Sequence, residues 1–187
     1  MTIRYIADMH LDHQDIIDYD DRPFRDTEEM NRVLTERWNS VCKEEDLTYI
    51  IGDFCSGGAD RWRELLGALN GRKVLLLGNH DNAEAARQMA EEKLLEDAAP
   101  YLEIEDEGRQ VVLCHYPIVP FHNHWFGTIH LYGHVHLGYE WNLTLHQKRL
   151  LRDLYVRQDI CRMANAGAMT PYMDYTPRTL DELQAEL

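Results

Sequence analysis

Positive charge is in short supply. The 187 residues carry 19 lysines and arginines against 33 aspartates and glutamates, a formal net charge of −14. A protein that tracks a phosphate backbone needs the opposite balance, which argues against long nucleic acid as a partner. Acidic residues gathered around divalent cations would be partly neutralised where they stand. Cysteine is scarce as well. Cys42, Cys55, Cys114 and Cys161 are widely spaced and form no C-x-x-C pair. That excludes a disulfide framework and a zinc knuckle, and reads as reduced thiols in a cytoplasmic protein. No apolar run approaches the length of a membrane span, so no membrane partner is expected. Met1-Thr2-Ile3-Arg4-Tyr5 lacks the charged, apolar and small-residue zones of a signal peptide. Repeats, low-complexity tracts and linkers are absent too. The expectation is one domain over residues 1–187, long enough for a single sizeable core.

Histidine is what the chain has in number. There are ten, and several follow apolar runs directly. The apolar patterning predicts strands at 2–7, 47–51, 73–77, 128–132 and 160–164, with a hairpin of 101–104 and 110–114 around Asp106-Glu107-Gly108. Asp26 and Glu29 have the spacing of a capping box, and Met30, Val33, Leu34, Trp38 and Val41 continue at helical spacing. Further helices are predicted at 61–69 and 83–96. Thr179 and Glu182 repeat the capping box for a C-terminal helix. Strands alternating with helices, then a run of strands, predict an α/β layered fold. In open α/β sheets, functional groups gather just past the carboxyl ends of the strands.

Five strand ends carry chemistry. Asp8 and His10 follow the first strand, and Gly52-Asp53 the second. Gly78-Asn79-His80-Asp81 follows the third. His115 follows Val111-Val112-Leu113-Cys114, and Gly133-His134-Val135-His136 follows Ile129-His130-Leu131-Tyr132. Taken singly, each pattern is common and reads as a turn. Five in order, each after an apolar strand, deliver carboxylates, imidazoles and a carboxamide to one edge. Hard oxygen mixed with borderline nitrogen suits two divalent first-row cations better than calcium or thiolate-bound zinc.

Together these motifs resemble those of the calcineurin-like metallophosphoesterases, and they span positions 8 to 136. The Arg22-Pro23-Phe24 segment and the short length look like the small single-domain bacterial and phage branch. The resemblance implies a four-layer α-β-β-α sandwich, two mixed sheets flanked by helices. It implies that Asp8, His10, Asp53 and His136 hold one metal, with Asp53 bridging to a second held by Asn79, His115 and His134. Manganese is the expected ion, with iron, zinc, nickel and cobalt also suited to these donors. Two such ions would lower the pKa of a bridging water for in-line attack on phosphorus, so no protein nucleophile is needed. His80 is then free to protonate the leaving group or to stabilise phosphoryl charge. Asp81 would orient its imidazole, or simply cap the following helix.

Metals treat any phosphoryl group alike, so selectivity belongs to loops. Arg22 and Arg25 flank Phe24, and "YPIVPFHNHWFG", residues 116–127, is dense in aromatics without regular period. One reading gives Arg22, Arg25, His122, His124 and Trp125 to the substrate; the other anchors the loop in the core and leaves the arginines solvated. His13 divides evenly between a supporting group and a solvated loop histidine, and His130 reads as a satisfied strand residue. Lys148, Arg149 and Arg152 read as the solvated face of a helix carrying Leu150, Leu151 and Leu154. The expected activity is hydrolysis of a mono- or diester of a small metabolite or nucleotide. The rivals are a nuclease acting on nucleic-acid ends and a non-catalytic binding module that keeps the fold.

Overall fold

A computed structural model describes residues 1–187. Four strands form a first sheet in the order β1 (Ile3–Ile6), β2 (Leu47–Ile51), β3 (Arg72–Leu76) and β4 (Asp97–Ala99), parallel throughout. The second sheet follows the order β5 (Tyr101–Asp106), β6 (Arg109–Cys114), β7 (Ile129–Tyr132) and β8 (Arg162–Asn165). There β5 and β6 are antiparallel while β6, β7 and β8 run parallel, so mixed pairing belongs to this sheet alone. Helices α1 (Asp15–Tyr19), α2 (Thr27–Val41), α3 (Ala59–Ala68) and α4 (Ala83–Glu91) connect the strands of the first sheet, and α5 (Tyr139–Leu154) lies between β7 and β8. This is the α/β sandwich of two four-stranded sheets flanked by helices.

Strand burial explains why the apolar runs are continuous. Val111 and Leu113 on β6 join the main core of 39 buried residues, while Val112 between them points to a separate cluster of seven. Ile129 and Leu131 of β7 face the main core, and Tyr132 the smaller one. A strand covered on both faces needs no polar alternation. His130 alternates with these residues and is fully buried. Its Nδ1 bonds the Val112 carbonyl and its Nε2 accepts from the Ile118 N–H, so it is a satisfied structural histidine.

Local signals hold in detail. The Asp26 carboxylate accepts from the Glu29 N–H at 2.9 Å and starts α2, whose buried face is Met30, Leu34 and Trp38. Between β5 and β6, Glu107 and Gly108 have φ of 51° and 79°, the two left-handed residues that a tight hairpin of matching twist requires. Thr179 and Glu182 exchange capping-box bonds as expected, yet no α-helix follows. Leu180 and Leu183 are already buried by that single turn, and only a 3₁₀ turn, Gln184–Glu186, comes after it.

Candidate metal centre

Because β1, β2 and β3 are parallel, the residues after them emerge on one edge, next to the carboxyl ends of β6 and β7. The chain turns there through strained backbone. Asp8, His10 and Asp53 have φ of 52°, 50° and 54°, and His134 and His136 of 70° and 43°. Left-handed geometry costs a non-glycine residue on the order of 1–3 kcal/mol, and such strain concentrates at functional sites. Hydrogen bonds hold it in place: the Asp8 N–H to the Gly52 carbonyl at 3.0 Å, and the His10 N–H to the Asp53 carbonyl at 2.8 Å. The glycines permit close approach. A Cβ on Gly78 would stand 2.2 Å from Asp53 Oδ1, and one on Gly133 would stand 2.7 Å from Asp8 Oδ2.

Asp8, His10, Asp53 and His136 are buried, and one donor atom from each lies within 4.8 Å of all the others. His10 Nε2 is 3.3 Å from His136 Nε2 and 3.4 Å from Asp53 Oδ2. On the other side of the same Asp53 Oδ2, at 3.3 Å, stands His115 Nε2. That nitrogen is 3.0 Å from Asn79 Oδ1, which is 2.8 Å from His134 Nδ1. One oxygen of Asp53 therefore faces two donor groups. Its other oxygen is turned away and accepts from the His80 N–H at 2.8 Å.

The donor chemistry fits divalent cations. Three histidines anchor one nitrogen and present the other to the cluster: His115 Nδ1 on the Ile51 carbonyl, His136 Nδ1 on Asp20, and His10 Nδ1 against His13. Anchoring of the outer nitrogen is what orients an imidazole for a metal. Charges within the set offset one another. Burial pushes the Asp8 carboxyl up, with His136 and His115 pulling against it. Burial also acts to raise Asp53, but the hydrogen bond and charge of His115, then His10, hold it down to about 2. His115 is resisted by its own burial yet lifted to about 9, first by Asp53 and then by Asp8. Burial drives His10 down to about 2, leaving it a neutral donor.

A cavity of about 320 Å³ opens over the cluster. Besides donor residues, His13, Asp15, Ile16, Tyr19, His80 and Glu140 line it, and none of its lining residues is a lysine or an arginine. The family model of the calcineurin-like phosphoesterases matches residues 1–166. This chain is a calcineurin-like phosphoesterase. It belongs among the metal-dependent hydrolases of phosphoric ester bonds. The uncharacterized protein MJ1445 of Methanocaldococcus jannaschii is 34% identical over 139 residues, 73% of this chain and 70% of that one. The gene 66 protein of Mycobacterium phage L5 is 26% identical, covering 78% of this chain and 83% of its own. Among solved structures, AQ665 of Aquifex aeolicus, a protein of unknown function, superposes with a TM-score of 0.71 at 24% identity. That match covers 99% of this chain and 98% of the other, and shares the fold.

Within this phosphoesterase, all seven expected metal-ligating residues converge, and His80 joins them at the cavity wall. Asp81 does not orient the His80 imidazole. Its carboxylate accepts three backbone N–H groups, from Asp53, Phe54 and Gly78, each at 2.8 Å, and so staples two strand-end loops together. Nor is it the helix cap, since Asn82 caps α4. The loop expected to select substrate is elsewhere. His122 is exposed and pairs with Glu103; His124 is buried against Phe121 and Trp125; Trp125 packs on the smaller cluster and Tyr155. The anchoring reading holds for Phe121 and Trp125 but not for Phe126, which is 85% exposed. Arg25 is exposed beside Asp26. Arg22 is buried rather than solvated, its donors committed to Asp20 and to the Asp8 and Met9 carbonyls. Neither arginine lines the cavity. Asp15, Ile16, Tyr19, Asp20 and Glu140 escaped sequence reasoning. Their one signal is position, in the segments that follow Asp-x-His and Gly-His-x-His.

Proposed function

We propose that this chain is a dinuclear phosphoesterase acting on the mono- or diester of a small metabolite or nucleotide. The observation that carries the reading is Asp53 Oδ2, which stands 3.4 Å from His10 Nε2 on one side and 3.3 Å from His115 Nε2 on the other. Asp8, His10, Asp53 and His136 are assigned to one ion; Asp53, Asn79, His115 and His134 to the second. Bound there, divalent ions, manganese first among them, supply positive charge for phosphoryl oxygens and lower the pKa of water. The chain does the rest. Asp53 and the anchored histidines fix the donor positions in advance, so little reorganisation accompanies binding. His80 lines the cavity, is exposed, and its imidazole has no hydrogen bond within the protein, which leaves it free to give a proton to the leaving oxygen.

A small substrate is favoured by cavity size and by charge. The lining without lysine or arginine offers nothing to track a polyanion, so a nuclease role lacks its electrostatic footprint. Four free, buried cysteines support a reducing cytoplasmic setting. No helix is long and apolar enough to cross a membrane. The test is elemental analysis of manganese-loaded protein alongside turnover of a panel of mono- and diesters. Two ions per chain and turnover of small esters are expected. One ion at saturation overturns the dinuclear reading, and no turnover of any ester restores the binding module.

A further inference from the structure

We infer that His13 is a substrate-binding residue, donating from Nε2 to a phosphoryl oxygen of the ester; the inference rests on the phosphoesterase reading. It begins one turn away, at His10. His10 Nε2 lies in the donor cluster, 3.3 Å from His136 Nε2 and 3.4 Å from Asp53 Oδ2. A nitrogen that serves as a metal donor there is bare, so the single proton of a neutral His10 sits on Nδ1. That Nδ1 is 3.1 Å from His13 Nδ1. The His10 N–H therefore donates, His13 Nδ1 accepts, and the proton of His13 is placed on its Nε2. The tautomer of a cavity residue is set from the donor cluster, through one hydrogen bond.

Nothing in the protein receives that Nε2–H. His13 is half-buried and lines the cavity, its ring 5.2 Å from that of His10 and 5.5 Å from that of His80. The three other ionisable groups that line the cavity outside the donor set and the histidines are Asp15 and Glu140, whose carboxylates repel a phosphoryl oxygen, and Tyr19, which is largely exposed. An N–H on a residue that lines the same space offsets that repulsion for an oxygen the ions leave free. His80 faces the leaving group in the proposed reaction; His13 holds the group that stays.

The bland alternative is that His13 merely braces His10. Amide replacements separate the two, because an asparagine oxygen falls near Nδ1 and a glutamine nitrogen near Nε2. His13→Asn keeps an acceptor for His10 and removes the Nε2 donor; His13→Gln supplies a donor near the Nε2 position. The probe is inorganic phosphate, titrated calorimetrically into manganese-loaded protein. Metal content is measured on every sample, and kcat/KM on 4-nitrophenyl esters, whose leaving group needs no proton. In His13→Asn, metal content should stay at the wild-type level while phosphate affinity and kcat/KM fall together, about 10- to 100-fold, the range for a hydrogen bond to a charged group. His13→Gln should recover much of the phosphate affinity. A His13→Asn protein that binds phosphate within about twofold of wild type, or whose losses follow lost metal, overturns the assignment. Absence of wild-type turnover is a separate result and strikes the phosphoesterase reading, since the phosphate titration compares variants without it.

Discussion

Asp20 Oδ1 accepts a hydrogen bond from His136 Nδ1 at 2.7 Å, and the other oxygen of that carboxylate takes two bonds from Arg22, at 2.8 and 2.9 Å. The guanidinium reaches on to the carbonyls of Asp8 and Met9. One buried chain of contacts thus ties the backbone of Asp8 to the ring of His136. Burial acts to raise the Asp20 carboxyl, but His136 and Arg22 hold it below its ordinary value. A carboxylate on the outer nitrogen fixes the tautomer of a metal-donating histidine, and losing it typically costs 10- to 100-fold in metal affinity. Asp20→Asn should fold normally and bind manganese about 10- to 100-fold more weakly by calorimetry. Wild-type affinity in that variant would reduce the contact to packing.

His80 is separable from the donor set, because its one hydrogen bond to that set runs through the backbone N–H, on Asp53 Oδ1 at 2.8 Å, while its ring only packs edge-on against His10. His80→Ala keeps that amide. Metal content should be unchanged while turnover of an alkyl phosphoester falls roughly 10²- to 10⁴-fold, the span of a general acid. With 4-nitrophenyl esters the loss should shrink, since that leaving group departs unprotonated. Equal losses on both would assign His80 to phosphoryl binding instead.

Gly78 reports on how tightly Asp53 is held. A Cβ there would meet Asp53 Oδ1 at 2.2 Å and the Asp53 backbone nitrogen at 2.6 Å, and backbone does not swing aside. Gly78→Ala should displace the Asp53 carboxylate and, on the dinuclear proposal, weaken both ions together by at least about 10-fold. Metal titration read at two sites checks this, and selective loss of one ion would show that Asp53 is not shared.

The parts of the molecule that sequence made legible are those where one local rule decides. Asp26 with Glu29, the Glu107-Gly108 turn and the runs ending at Ile51, Leu76, Cys114 and Tyr132 each follow from short-range patterns. Parallel pairing then collects their ends without further information. Asp20 was not legible because α1, which it ends, is five residues long, too short to show a period, and its partner His136 lies on a distant element. His13 stayed divided because a loop histidine three residues from His10 has no pattern that fixes where its ring turns. The segment of residues 116–127 misled through composition, since aromatics suit a binding lid and a core anchor equally. On α5 the amphipathic reading holds for Arg149, which is exposed, and for Leu151, which packs on the smaller cluster, but inverts elsewhere: Leu150 and Leu154 are 57% and 67% exposed, while Lys148 is buried. Charge patterning assumes that water is the partner of a cation. Here backbone carbonyls are, with Lys148 Nζ donating to Met163 and Glu186, and Arg152 to Ile160 and Leu187.

That inversion makes stability depend on pH in a definite direction. Burial lowers the Lys148 ammonium from its ordinary 10.5 to about 8, with neighbouring Arg152 adding to the effect. Between those values the unfolded chain still holds a proton that the folded chain has lost. Stability therefore rises with pH across that window, by at most about 3 kcal/mol, and the gain is lost again as pH falls through 8. Lys148→Met removes the titrating group. It strands two carbonyls at every pH, a roughly constant cost of about 1–3 kcal/mol each, but abolishes the slope. Urea unfolding of both proteins at pH 7, 8, 9 and 10 reads the difference directly. The gap between wild type and Lys148→Met should widen steadily above pH 8. Parallel curves would mean that the amine stays charged in the fold, held by its two carbonyls against the pull of burial.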